Sequence, residues 1–117
     1  MRLKTGVIVL ALAFASLSLL SCNSLKTIEV TLDISGNSLA LFDGFYETTT
    51  NGQKQISGSP PTSYTFDARM QYDIIAVQLV RVGTGDLTAK LVSGGITRDS
   101  ATTSGAIGTI HLEWTPK

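Results

Sequence analysis

Few side chains in this 117-residue sequence could do chemistry. Cys22 is the only thiol and follows Leu19-Leu20-Ser21. His111 is the only imidazole, and Glu113 lies two residues further on. On an alternating strand those two share a face. A carboxylate beside an imidazole can serve a general base. No nucleophile motif accompanies the pair, however, and a His and a Glu on a solvated face are ordinary surface residues. Asp33, Asp43, Asp67, Asp73, Asp86 and Asp99 could offer oxygens to calcium, which takes six to eight. They are dispersed, with neither a D-x-D pair nor EF-hand spacing, so solvated strand faces and turns are the expected settings. Tyr46, Tyr64 and Tyr72 could line a ligand groove, but core or rim packing suits them better in so small a domain. No G-x-S-x-G elbow, P-loop or dinucleotide pattern occurs. One His and one Cys cannot supply the four ligands of a structural zinc. The sequence therefore predicts no catalytic, cofactor-binding or metal-binding residue. Nine basic residues balance nine acidic ones, which leaves no excess to neutralise phosphates and argues against nucleic acid.

The setting of Cys22 is more informative. Arg2 and Lys4 precede an uncharged stretch from Val7 to Leu20. That stretch is short for a membrane span, which needs about 20 apolar residues, and suits the apolar region of a secretory signal. Leu19-Leu20-Ser21-Cys22 then resembles the lipobox of bacterial lipoproteins. The chemistry explains the residue types: a diacylglyceryl group must be attached through a strong nucleophile, which a Cys supplies. A small Ser21 lets a peptidase approach the bond before Cys22. The resemblance implies removal of residues 1–21 as a signal peptide and lipidation of Cys22, with acyl chains such as palmitate on its sulfur and on the new amino terminus. Two or three chains exceed the single chain that anchors only marginally. The partner is then a membrane, either the cell membrane or the outer membrane, with the domain outside the cytoplasm. Asn23 in place of an Asp points to the outer membrane under the enterobacterial sorting pattern.

Residues 22–117 keep seven basic and nine acidic side chains and, once Cys22 is lipidated, no free thiol. The domain must stand on its hydrophobic core, for which about 96 residues suffice. The expected division is residues 1–21 as signal peptide, 22–27 as lipidated tether and 28–117 as one folded domain.

That domain reads as strands throughout. Residues 27–34 alternate strictly, with Ile28, Val30, Leu32 and Ile34 on one face. Residues 39–49 predict a second strand, with Gly44 at a bulge or a close backbone approach. Asn51-Gly52 predicts a type I′ hairpin turn into residues 53–57, and Pro60-Pro61 marks a loop. Residues 63–69 alternate again. The β-branched run 72–82 is the most apolar and favours strand over helix. Gly83-Thr84-Gly85, Ser93-Gly94-Gly95 and Thr103-Ser104-Gly105 are turns, and they delimit strands over 86–92, 96–103 and 106–114. The polar 96–103 strand belongs at an edge. In the last strand Ile110, Leu112 and Trp114 are expected to face a core. Seven or eight short strands joined by Gly-rich turns predict an all-β fold, a small antiparallel β-sandwich, with a closed barrel as the alternative.

An opening strand ending in Ser35-Gly36, the aromatic pair Phe45-Tyr46, the segment Leu87 to Val92, the turn Gly94-Gly95 and a closing strand from Gly105 to Trp114 resemble the extracytoplasmic domain of the small mycobacterial membrane proteins of the MmpS type. The resemblance implies a sandwich and a link to export machinery in the envelope. This chain departs from that family in having a lipobox in place of an uncleaved membrane helix and in lacking cysteines within the domain. The expected protein is a non-enzymatic envelope lipoprotein, a binding or transport-accessory module acting on another envelope protein. The alternative is a structural or adhesive surface lipoprotein that self-associates through strand edges.

Overall fold

The structure, a computed structural model, describes residues 26–103 and 108–117. Among them every regular element is a strand: β1 (Thr27–Gly36), β2 (Phe42–Thr48), β3 (Gly52–Gly58), β4 (Thr62–Arg69), β5 (Ile75–Arg81), β6 (Leu87–Ser93), β7 (Ile96–Thr103) and β8 (Thr109–Trp114). They form two four-stranded sheets, ordered β4-β1-β6-β7 and β3-β2-β5-β8. Every pairing is antiparallel. The fold is the small β-sandwich that the alternation predicts.

Two apolar faces meet between the sheets. β1 contributes Val30, Leu32 and Ile34, and β6 contributes Leu87, Ala89 and Leu91. Phe42, Val77, Leu79, Ile110 and Leu112 close over them from the other sheet. Each such aliphatic, fully withdrawn from water, stabilises by about 1.5–3 kcal/mol. Tyr46 of β2 stacks on Phe66 of β4 at 4.6 Å between ring centroids, which ties the two sheets along their β3–β4 side. On the opposite side Asp99 of β7 accepts a hydrogen bond from the Glu113 backbone N–H of β8 at 2.9 Å. β3 remains an open edge, with Gln53, Lys54 and Gln55 exposed.

Several local expectations shift. The second strand begins at Phe42, so Leu39 and Leu41 lie before it and are exposed. The apolar run starts its ladder at Ile75, because Asp73 is held by side-chain hydrogen bonds that draw residues 70–74 into a loop. Gly44 sits in regular register between Ile56 and Leu79, with no bulge. The close approach does hold there, since a Cβ would collide with the Gln78 carbonyl oxygen. The ladder's irregularity lies between β6 and β7, at Leu91/Val92. The two-residue turn with positive φ at both positions is Gly94-Gly95, at 62° and 73°, the backbone that a type I′ hairpin needs. At Asn51-Gly52 the connection is longer, with Thr49 to Asn51 between the paired Thr48 and Gly52.

The strands run between two ends. One gathers the start of β1 at Lys26, the β2–β3 and β6–β7 hairpins, the β4–β5 loop and the end of β8. The far end gathers the β1–β2, β3–β4 and β5–β6 connections. With β1 ten residues long and each residue rising about 3.3 Å, the ends lie about 30 Å apart.

Candidate functional site

Cys22 and the lipobox-like Leu19-Leu20-Ser21 before it lie outside the described residues. The other residues singled out by the sequence do not converge. His111 Nε2 lies 3.6 Å from Glu113 Oε2, with both side chains about 60% exposed on the outer face of β8. Gln78, the residue opposite His111 in the ladder, offers no nucleophile. Asp33, Asp43, Asp67 and Asp86 are exposed on separate strands and connections. Among the described residues no three His, Cys, Asp or Glu side chains gather where they could hold a metal ion. Tyr46 is in the core, Tyr64 packs tilted against it at the rim, and Tyr72 is half exposed on the β4–β5 loop.

Asp73 departs most from its expected setting. It is fully buried rather than on a solvated surface. Its Oδ1 accepts from the Thr50 backbone N–H and from Thr50 Oγ1, each at 2.7 Å, and its Oδ2 accepts from the Arg69 N–H at 2.6 Å. Burial alone pushes the carboxyl pKa up. The Arg69 N–H, the Thr50 hydroxyl and N–H, and the Arg69 charge outweigh it and hold the pKa below the ordinary carboxylate value. Thr49 Oγ1 accepts from the Ile74 N–H at 2.9 Å. The β2–β3 hairpin and the β4–β5 loop are thereby locked together. With both oxygens bonded to Thr50 and Arg69, this group positions backbone.

Trp114 also differs from expectation. It points inward like Ile110 and Leu112, but at the end of its strand it runs out of cover and is only half-buried. The guanidinium of Arg98, from β7, lies over its ring at 5.1 Å from the centroid, an attractive cation–π contact. Trp114, Arg98, Ile28, Met70 and Pro116 border an open cleft of about 750 Å³ at the Lys26 end. Its walls are fixed by backbone bonds from Met70 N–H to the Lys26 carbonyl at 2.8 Å and from Gln71 N–H to the Pro116 carbonyl at 2.7 Å. The sequence signalled the strand of Trp114 but not Arg98, which reaches it from another strand.

At the far end the outer face of the second sheet carries a different surface. Leu39 is 66% exposed, Leu41 47%, Val80 45% and Val82 68%. They alternate with inward Ala40, Phe42 and Leu79, so the four share one face. The Leu41 carbonyl accepts from the Val82 N–H at 2.7 Å, and the Leu39 carbonyl from the Thr84 N–H at 3.0 Å, which sets the two segments side by side. An apolar cluster of this kind suits contact with a protein better than a reaction. The signal was present in the run 72–82, where period-two alternation leaves aliphatics on both faces. Comparison with known proteins finds no family model that matches the chain and no curated protein with significant similarity to it.

Proposed function

We propose that this is an envelope lipoprotein, anchored through acyl chains on Cys22, whose β-sandwich is a non-enzymatic binding or accessory module for another envelope protein. The exposed cluster of Leu39, Leu41, Val80 and Val82 carries the reading. Four aliphatics left in water on one face need a use, and a protein contact would return them to an apolar setting. The cluster lies at the end opposite Lys26, facing away from an anchor attached four residues before it. The scattered titratable groups support a binding role over catalysis. The lipobox supports the anchor, and the likeness to MmpS-type domains supports an accessory role in transport.

A photo-crosslinking residue at Val82, in cells of the native host, tests the reading. The expected result is one discrete heterologous adduct that disappears in an L41E variant and is lost when the probe is moved to Lys90, on the outer face of the other sheet. Adducts that are indifferent to L41E would refute the patch. A second reading, self-association through an edge, is favoured by the exposed backbone of β3. It expects a homodimeric adduct from a probe at Lys54.

A further inference from the structure

We propose that the Lys26 end of the sandwich is seated in the membrane interface, with Trp114 at the level of the lipid headgroups. This rests on the reading that Cys22 is lipidated. The length of the tether is the first reason. Four residue steps separate Cys22 from Lys26, and an extended chain covers at most about 3.3–3.6 Å per step, so the two Cα atoms lie within about 14 Å. Acyl chains on Cys22 are buried in hydrocarbon. The end of the domain where Lys26 enters therefore cannot stand clear of the headgroup layer.

The surface brought there has the composition of an interface. Lys26 is bonded to Met70, and Met70 lines the cleft with Trp114, Ile28 and Pro116. At the same end, Tyr72 is 49% exposed and Ile74 51% on the β4–β5 loop, and Ile96 is 56% exposed at the start of β7. Trp and Tyr favour the membrane–water boundary, where an apolar ring body and a polar N–H or O–H are both satisfied. Of the seven basic residues after Cys22, Lys26, Arg69, Arg98 and Lys117 lie at this end. Long basic side chains keep their stems in apolar surroundings and their charges among phosphates. Glu29, Glu47, Asp67 and Glu113 are at the same end and offset them. Seating therefore depends on the apolar and aromatic side chains, with little dependence on anionic lipid. The open cleft beside Trp114 is wide enough to admit headgroup atoms.

Trp114 is the only tryptophan in the chain, so its fluorescence reports this site alone. The full lipoprotein, purified from its host, is reconstituted into phosphatidylcholine vesicles with and without lipids brominated high on the acyl chain. The mass of the same preparation is measured intact. A lipidated mass, with two or three acyl chains, together with loss of most Trp114 emission on bromination is the expected result. Lipids brominated near the chain terminus should quench less, and added phosphatidylglycerol should change little. An I74N/I96N variant should be quenched less while keeping its circular dichroism spectrum. A lipidated protein whose emission ignores brominated lipid would overturn the seating and leave the anchor standing. If that emission is also shielded from aqueous iodide in the vesicles, protein and not lipid covers the ring, and the seating is again overturned. An unlipidated mass would remove the anchor, and the seating with it.

Discussion

Asp73 is the residue on which the Lys26 end of the sandwich depends. Its carboxylate satisfies two backbone N–H groups and a hydroxyl across two connections. Asp73→Ala leaves those donors without their acceptor in a closed site, and we expect a loss of about 1–3 kcal/mol in urea denaturation. The pH dependence follows from the lowered pKa. A carboxyl whose pKa is depressed on folding stabilises fully above its unfolded value of about 3.9 and loses that contribution as pH falls through its folded value. The melting temperature should drop on acidification below about pH 4. Asp73→Asn should flatten that part of the profile. The sequence showed six aspartates and no means of ranking them. What distinguishes Asp73 is the approach of Thr50, 23 positions away, a distance that alternation does not encode. Alternation did place His111 and Glu113 together on a solvated face.

At the scale of elements, the β6–β7 hairpin separates backbone from packing. Gly95 has a φ of 73°, and a Cβ there would meet nothing within 4 Å. Gly95→Ala should therefore cost only the left-handed backbone penalty, about 1–2 kcal/mol. Gly95→Asn should cost less, since Asn tolerates that region. Equal losses in equilibrium unfolding would contradict this account. The strands themselves were legible because one face of each is buried and the period of two is written directly in residues such as Val30, Leu32 and Ile34. The turns were less so. Asn-Gly and Gly-Gly both permit a type I′ turn, and the choice was made by the length between Thr48 and Gly52 and between Ser93 and Ile96. Trp114 was read as core because alternation gives the direction of a side chain. Its cover depends on where neighbouring strands stop.

Across the whole molecule, the proposed lipid anchor and the sandwich make separate demands. Cys22→Ser should abolish lipidation, move the chain from the detergent to the aqueous phase on partitioning, and leave the circular dichroism spectrum of the domain unchanged, because among the described residues none packed in or against the core precedes Ile28. A variant still in the detergent phase would mean that something other than Cys22 holds it.

The open edge of β3 has a consequence once all copies are rooted in one leaflet. Every molecule then stands the same way up, with Gly52 toward the lipid and Gly58 away from it. Two copies can turn freely about the membrane normal, but neither can invert. Joining two β3 edges antiparallel requires inversion, so a shared leaflet forbids by symmetry the pairing that each exposed edge would otherwise favour. Parallel pairing remains, and it is weaker per residue. Crowding in two dimensions would therefore not drive edge-to-edge growth, whereas shed domains tumbling in solution would be released from the restriction. We expect the Cys22→Ser chain to form concentration-dependent dimers in sedimentation, and a cysteine pair placed to lock β3 antiparallel to crosslink in that chain and not in vesicles.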